Sequence, residues 1–216
     1  MSEEQRIFDG KLFSPADPAL KAIKLKAHHW SSQYSRTFEE ETEEREQILQ
    51  QLIGKLGEGS FIQGPIFFHY GVHTEIGHHF FANYNLTVQD DARVTIGNHV
   101  NCGPNVTIVT PIHPMIASER RQMLDQHGQA KTLCYAKPVV IGNDVWLSAS
   151  VTVCGGVTIG DGCVIGAGSV VTQDIPPHTF AAGVPCRVIR EITEMDSMAL
   201  LPDMLGGCSV IEQDKS

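Results

Sequence analysis

The sequence has few basic residues, no long apolar run and no closely spaced cysteine pairs, and each absence excludes a class of protein. Lys and Arg number 16 against 25 Asp and Glu in 216 residues, so the net charge of −9 argues against a nucleic-acid or anionic-membrane partner. No apolar run reaches the roughly 18 residues of a membrane helix, and MSEEQRIFDG at the start lacks the pattern of a signal peptide. We therefore expect a globular protein of the cytoplasm.

Cysteines at the CxxC spacing of zinc sites and redox motifs are also missing. The six cysteines fall mostly inside a tract of regular sequence, which indicates buried, reduced thiols and neither disulfides nor a zinc site. We therefore expect no metal. The cysteines are Cys102, Cys134, Cys154, Cys163, Cys186 and Cys208.

Residues 1–60 carry two helix patterns. Asp17 followed by proline gives an N-cap and a first helical residue. Thr37, with a glutamate three positions later, has the spacing of a capping box that begins a second helix. Gly57 is placed to end that helix in a left-handed conformation. We predict two amphipathic helices before the first strand.

A six-residue repeat dominates the rest of the chain. Residues 141–176 can be written without a gap as IGNDVW, LSASVT, VCGGVT, IGDGCV, IGAGSV and VTQDIP, and the first position is always Ile, Leu or Val. The same frame covers residues 76–93 and, after a two-residue slip, residues 96–107. A helix has a period of 3.6 residues and an alternating strand a period of 2, so neither explains this spacing.

A period of six is typical of a triangular coil, in which three hexapeptides make one turn and each contributes a short strand to one of three parallel sheets. The aliphatic side chains fill the axis, and small residues allow the corners. We predict a mostly β fold of about five coils. Its parts are an N-terminal helical segment at 1–60, the coiled domain at 61–186 with an extruded loop at about 112–137, and a C-terminal segment and tail at 187–216.

Several stretches resemble a known family. They are ANYNLTVQDD, the IHP step at residues 112–114, PVVIGNDVW, GVTIGDGCVIGAGSVVTQDIPP and AAGVPCRVIREI. This sequence resembles the maltose and galactoside O-acetyltransferases, which are hexapeptide-repeat acyltransferases. The resemblance implies a left-handed parallel β-helix and a cyclic homotrimer with active sites between subunits. It also implies direct transfer of an acetyl group from acetyl-CoA to a hydroxyl of a maltose, glucose or galactoside type of sugar.

The resemblance assigns roles to individual residues. His113, between two prolines in VTPIHPMI, matches the general base of the family, because a neutral imidazole can take the hydroxyl proton. Ala149 matches the residue whose backbone N–H stabilises the oxyanion. No cysteine matches a nucleophile of the family, so no acetyl-enzyme is implied. The positions that match the acceptor side are Asn83, Asp91, His69, Cys134 and Trp146.

Coenzyme A is a long anion, and the resemblance implies contacts to both of its ends. Arg187 and Arg190 match residues near the phosphates, where the guanidinium fork suits a phosphate group. A surface salt bridge with Glu191 or Glu194 is the alternative role for these two arginines. The positions that match contacts along the pantetheine arm of coenzyme A are Ala149, Ala167, Thr172 and Gln173. Gln173 replaces a lysine that is common in the family.

Four further departures from the family pattern fall on the acceptor side. Pro15 stands where the family has an aspartate, His69 replaces a small hydroxyl residue, and Cys134 replaces a methionine. The excursion at residues 112–137 is also about nine residues longer than in the galactoside enzyme that it resembles. The natural acceptor is therefore left open.

Two alternatives remain open from the sequence. The same scaffold carries zinc-dependent carbonic anhydrases, and three imidazoles are a reasonable zinc set. The second alternative is a trimeric interaction scaffold without catalysis. The histidines considered for zinc are His69, His73 and either His78 or His79.

Overall fold

The structure, a computed structural model, describes residues 1–210. Helices occupy the chain to residue 52, and strands begin at residue 55, earlier than the predicted boundary at 61. The end of the predicted tail, residues 211–216, lies outside the described residues. No helix in the described range is long and apolar enough to cross a bilayer. The helices are α1 (Glu3–Phe8), α2 (Pro18–Tyr34), α3 (Thr42–Leu52), α4 (Ala117–Arg121) and α5 (Pro202–Leu205), with 3₁₀ turns at Glu194–Asp196 and Met198–Leu200.

The predicted N-cap of α2 is confirmed, whereas the predicted start of α3 is wrong. The Asp17 carboxylate accepts the backbone N–H of Ala19 at 2.9 Å. The Thr37 hydroxyl donates to the carbonyl oxygen of Tyr34 at 2.7 Å and accepts from the Arg45 guanidinium at 3.1 Å. Because Thr37 is bound to the end of α2, it cannot cap the next helix, and α3 begins later than predicted.

The predicted left-handed helix end at Gly57 is also wrong. The α3 helix ends at Leu52, and the backbone of Ile53 is already extended. Ile53 is buried, and Leu56 pairs with Ile76 of the next coil. The chain therefore leaves the helix early because these apolar residues belong to the first coil.

The strands in the described range are two to five residues long. In chain order they are β1 (Lys55–Leu56), β2 (Phe61–Ile62), β3 (Ile66–Phe68), β4 (Thr74–Ile76), β5 (Phe81–Ala82), β6 (Leu86–Gln89), β7 (Val94–Ile96), β8 (Asn101–Cys102), β9 (Thr107–Val109), β10 (Pro111–Ile112), β11 (Met123–Leu124), β12 (Ala130–Lys131), β13 (Tyr135–Ala136), β14 (Val139–Ile141), β15 (Trp146–Leu147), β16 (Thr152–Cys154), β17 (Thr158–Ile159), β18 (Val164–Ile165), β19 (Val170–Val171), β20 (Thr179–Ala182) and β21 (Arg187–Glu191).

Three parallel sheets form the sides of a prism. Sheet I has the order β1-β4-β7-β14-β17, sheet II the order β2-β5-β8-β15-β18-β20-β21, and sheet III the order β3-β6-β9-β16-β19. Only β21 in these three sheets is antiparallel to its neighbour. Paired residues are 20 positions apart early in the chain, as in Thr74 and Val94, and 18 apart later, as in Val140 and Thr158. The two extra residues account for the slip in the repeat.

The axis of the prism is filled as the repeat predicts. The first and fifth positions of all six hexapeptides in residues 141–176 are at most 2 % exposed. The mostly β solenoid of stacked coils with one extruded loop is thus confirmed. The first positions are Ile141, Leu147, Val153, Ile159, Ile165 and Val171, and the fifth are Val145, Val151, Val157, Cys163, Ser169 and Ile175.

A second, smaller core joins the N-terminal segment to the extruded loop. It contains residues from α1, α2, the segment between them, two corners of the prism and the end of the loop. This core holds the N-terminal segment against the part of the prism from which the loop leaves. Its buried members are Ile7, Phe13, Leu20, Tyr70, Ala92, Cys134 and Ala136.

Ile141→Ala should lower the free energy of unfolding by about 2–5 kcal/mol, because it opens a cavity on the axis of the prism. The neighbouring Val140→Ala is the matched control, because Val140 is 40 % exposed and Ile141 is 1 % exposed. We expect the control to lose less than about 1 kcal/mol. Urea unfolding at one protein concentration measures both variants, and equal losses would contradict the inward orientation of Ile141.

Candidate active site

Three of the five acceptor-side residues predicted from the sequence, His69, Asp91 and Cys134, lie at the corner between sheet III and sheet I, here called the III–I corner. In successive coils this corner comprises residues 69–73, residues 90–93 and the excursion at 110–138. The two extra residues of each early coil lie here. Gly71 has φ +73, and a Cβ there would overlap the backbone oxygen of Leu52, so only glycine fits this tight passage.

The extruded loop leaves and rejoins the prism through a short ladder. The β10 and β13 strands pair antiparallel, with Ile112 opposite Tyr135, so His113 follows directly beside Cys134 in the same register. On its other side Cys134 bonds to Phe13, with N–H···O distances of 2.8 and 3.1 Å in the two directions. His113 is therefore an exposed side chain at the root of the loop, held there by three adjacent segments.

The carboxylate of Asp91 is buried at this corner with one oxygen unused. Asp91 is 3 % exposed, and its Oδ2 has no hydrogen-bond partner among residues 1–210. Burial, and next the charge of Asp90, raise its pKa to about 6. Burial, together with the Asp91 charge, also raises the pKa of the Cys134 thiol to about 12. That thiol remains protonated and is a poor nucleophile.

A polar network that the sequence did not indicate braces the same corner. The Asp90 carboxylate accepts the backbone N–H of Tyr70 and the hydroxyl of Thr74, both at 2.8 Å. Nδ1 of the buried His73 lies 3.0 Å from the carbonyl oxygens of both Asp90 and Asp91, and its Nε2 lies 3.1 Å from Glu4 of α1. The signal that could have located this network is the two-residue slip in the repeat.

Tyr70 lies between the histidines of this corner. Its ring stacks on His73 at 4.9 Å and meets the edge of His69 at 4.9 Å. Burial, and next the Asp91 charge, raise the pKa of Tyr70, so the phenol stays protonated. Its hydroxyl, like Asp91 Oδ2, has no partner among residues 1–210. Two buried polar atoms thus make no hydrogen bond among residues 1–210, and each lowers the stability of the folded protein by about 1–3 kcal/mol.

The outer row of sheet III connects the acceptor end to the predicted donor end. Gln89, Val109 and Cys154 are paired in successive coils. Val153 pairs with Val171, so the next residue, Thr172, is aligned with Cys154. His69 precedes Gln89 in this row, because the preceding residues of the two strands are paired. The row therefore runs from His69 to Thr172, and the exposed Gln173 lies beside its end.

A different corner, between sheet II and sheet III, holds Asn83, Ala149 and Ala167. The Asn83 side chain accepts the N–H of Tyr84 at 2.8 Å. The Ala149 carbonyl accepts from Gly168 at 2.8 Å, whereas the Ala149 N–H donates no hydrogen bond among the described residues. That N–H is available for a ligand. Trp146, 52 % exposed, lies just before this corner on the outer face of sheet II.

Within one chain, the two corners are separated by sheet III. Asn83 precedes β6, and His113 follows β9. A strand of three or four residues spans roughly 10–13 Å at about 3.3 Å per residue. The structure therefore groups His113, Asp91, His69 and Cys134, but it leaves Asn83, Ala149 and Trp146 on another edge.

The two candidate phosphate-binding arginines, Arg187 and Arg190, lie on β21, which is the last strand of sheet II. Arg190 holds Asp196 through two hydrogen bonds, of 2.8 and 2.6 Å. Pairing with the Arg190 guanidinium lowers the pKa of Asp196 to about 2. Its ion-pair partner is thus Asp196 and neither Glu191 nor Glu194. Arg187 is exposed and donates to the carbonyl oxygen of its neighbour Cys186 at 2.8 Å.

The histidines considered for zinc do not converge within one chain. His69 and the buried His73 lie at the III–I corner, where both ring nitrogens of His73 are engaged. His78 and His79 lie on the far side of sheet I, and the His79 ring stacks on His99. No group of three or more His, Cys, Asp or Glu side chains is placed to hold a metal ion in residues 1–210.

Comparison with known proteins places the chain among characterised relatives. The family profile described as bacterial transferase hexapeptide (six repeats) matches residues 138–173, and the maltose acetyltransferase hexapeptide capping motif matches residues 6–57. The galactoside O-acetyltransferase of Escherichia coli (strain K12) is 41 % identical over 196 residues, which are 91 % of this chain and 92 % of that protein. The chain belongs to the galactoside and maltose O-acetyltransferase family of hexapeptide-repeat proteins. The predicted family and enzyme class are thus confirmed.

Two solved structures of this family have the same fold. A galactoside acetyltransferase in complex with coenzyme A matches with a TM-score of 0.82 and 41 % identity, over 91 % of this chain and 94 % of that one. A maltose O-acetyltransferase from Clostridium difficile 630 matches with a TM-score of 0.80 and 40 % identity, over 90 % and 99 %. The hexapeptide acetyltransferase fold thus extends over nearly the whole described chain.

Asp91→Asn should stabilise the folded protein by about 1–3 kcal/mol at pH 8, and this gain should shrink as the pH falls to 5. The folded pKa of about 6 lies above the ordinary value of 3.8, so folding disfavours the ionised carboxylate, and the full penalty applies only above pH 6. Urea unfolding at pH 8, 6 and 5 measures the gain. The exposed Asp203→Asn is the control, and a gain for Asp91→Asn that does not change with pH would contradict the raised pKa.

Proposed function

We propose that this protein transfers the acetyl group of acetyl-CoA directly to a hydroxyl of a sugar acceptor of the maltose, glucose or galactoside type. The observation that carries this proposal is the pair of buried, unpartnered polar atoms, Asp91 Oδ2 and the Tyr70 hydroxyl, at the corner from which His113 projects. A hydroxyl of a ligand both donates and accepts, so it can bond to either atom once the side chains that cover them shift. The relatives that share the fold are named for galactosides and maltose.

His113 serves as the general base. Its exposed imidazole takes the proton from the acceptor hydroxyl while the hydroxyl oxygen attacks the thioester carbonyl carbon. The resulting oxyanion is stabilised by the uncommitted N–H of Ala149. When the carbon–sulfur bond breaks, the thiolate of coenzyme A takes the proton back from the imidazolium. The products are the acetylated sugar and the free thiol, and His113 is neutral again.

Direct transfer agrees with the state of the cysteines. Burial raises the pKa of Cys102 and of Cys134 to about 12, and it also raises the pKa values of Cys154 and Cys186. None of these four thiols is activated as a thiolate, which an acetyl-cysteine intermediate would require. The two substrates are therefore bound together, and binding orients them for the reaction.

Acetyl-CoA contacts Ala149 and Ala167 at the corner between sheets II and III and contacts Thr172 and Gln173 just beyond the end of β19, with its phosphates toward β21. The solved relative with 41 % identity was determined in complex with coenzyme A. Gln173 contributes hydrogen bonds without charge. The two arginines therefore bind the phosphates. Arg187 is exposed. Arg190 gives up one of its two hydrogen bonds to Asp196 when it binds the ligand.

The active site is completed by two subunits of a cyclic trimer. The support is the separation of the two corners within one chain, since base and oxyanion donor must both reach the reacting carbonyl. We propose that the corner with Asn83, Ala149 and Trp146 of one subunit faces the III–I corner of the next. A cytoplasmic location, where acetyl-CoA is available, is part of this proposal.

His113→Ala should fold and assemble normally but lose about 10²–10⁴-fold in turnover, because the attacking hydroxyl loses its base. Thiol release from acetyl-CoA with glucose, maltose and galactosides measures the rate. His127→Ala is the matched control, because His127 is an exposed histidine of the same loop. Turnover of His113→Ala equal to that of this control would remove His113 from the mechanism. No thiol release by the wild-type protein with any of these sugars would favour the scaffold without catalysis.

Co-expressed Asn83→Ala and His113→Ala chains should recover activity that neither variant has alone. In every mixed cyclic trimer one of the three sites combines an intact Asn83 with an intact His113 from the neighbouring subunit, so about a third of wild-type turnover should return. Differently tagged chains, purified through both tags, isolate the mixed trimers. Turnover no higher than that of the single variants would show that both residues act from the same subunit.

A further inference from the structure

His28 of α2 contacts the acceptor side of the candidate site through His69. Its Nε2 lies 3.3 Å from Nδ1 of His69, and the two ring centroids are 5.3 Å apart. The ring of Phe67 packs against His28 at 4.9 Å. The family resemblance implies no role for His28. The bond joins the N-terminal segment to the one acceptor-side position where an imidazole replaces a small hydroxyl residue.

Both imidazoles of this pair are neutral near pH 7. Burial, and next the positive charge of Lys24, lower the pKa of His69 to about 4. Burial, and next the same lysine, also lower the pKa of His28. A neutral ring has one N–H and one lone pair, so a single proton lies between the two nitrogens that face each other.

The direction of that hydrogen bond determines what His69 offers to a ligand. Free neutral histidine is more stable with its proton on Nε2. If His28 Nε2–H donates to His69 Nδ1, both rings keep this tautomer, whereas the reverse bond needs the less stable tautomer in both. His69 is then left with an Nε2–H donor, which makes no hydrogen bond to any of residues 1–210.

We propose that His28 is a positioning residue that fixes the tautomer of His69, so that His69 presents an N–H donor to the acceptor sugar. Asp91 Oδ2 offers an acceptor at the same corner. A donor and an acceptor at the same corner match two hydroxyls of one sugar, one of which accepts from His69 while the other donates to Asp91. This inference rests on the proposed function, and it adds which feature of the acceptor the site recognises, namely two hydroxyl groups.

The first test is the kinetics of His28→Phe, which keeps a planar ring and removes the hydrogen bond. We expect the acceptor KM to rise about three- to tenfold. The His69 ring loses the hydrogen bond that holds its orientation, and part of the population takes the other tautomer. The acetyl-CoA KM and kcat should stay within about twofold of wild type. His29→Phe, at the next and exposed position, is the control. His28→Gln, whose amide can donate to His69, should recover most of the lost affinity. Equal acceptor KM values for His28→Phe and His29→Phe would overturn the proposal.

The second test reads the tautomer itself and needs no acceptor. Long-range ¹⁵N NMR of histidine-labelled protein distinguishes protonated from unprotonated ring nitrogens. We expect the His69 Nε2 to be protonated in wild type and in His28→Gln, and to become a mixture in His28→Phe. A mixture in wild type would overturn the inference even if the protein is active. If no sugar is acetylated but the tautomer is fixed as expected, the proposed function fails and the positioning by His28 stands.

Discussion

Hydrogen bonds between the backbones of successive coils are the constraint on which the rest of this structure depends. Each short strand bonds only to the coil before it and the coil after it, as where Asn101 donates to Val145 and Thr107 donates to Val151 across the extruded loop. These bonds align each residue with its counterpart one coil away. The long loop can therefore be inserted at a corner without disturbing the axis, and side chains far apart in sequence form continuous rows.

The same constraint explains why polar side chains of the candidate site lie where the repeat is irregular. A regular corner has no room for extra polar groups, whereas the two-residue slip supplies the Asp90 and Asp91 pair. Asp90 is fully engaged with Tyr70 and Thr74, and it keeps the corner rigid. Asp91 carries the unused oxygen, and its cost in stability is the kind that proteins retain at sites that bind a ligand.

The sequence predicted the solenoid well because a fixed period determines which residues point inward. Local capping was a weaker guide: Asp17 acts alone and was predicted correctly, whereas Thr37 is bound by Arg45 from a later helix, which no local pattern reveals. His28 could not be predicted, because its role arises from the packing of α2 against β3. The separation of Asn83 from His113 likewise follows from which corner each one occupies, and the six-residue period alone does not give it.

The number of coils between His113 and the reversed last strand, β21, determines the distance between them. The β21 strand pairs antiparallel with β20 and so ends the parallel stacking in sheet II. Counting along that sheet, β21 lies four strand spacings, or about 19 Å, beyond β8, which belongs to the coil that leads to His113. Gain or loss of one coil would shift the arginines of β21 by about 4.8 Å relative to His113, the proposed base. If the β21 arginines hold the phosphates as proposed, the number of coils between His113 and β21 must match the length of coenzyme A. Evolution can change that number only by whole coils.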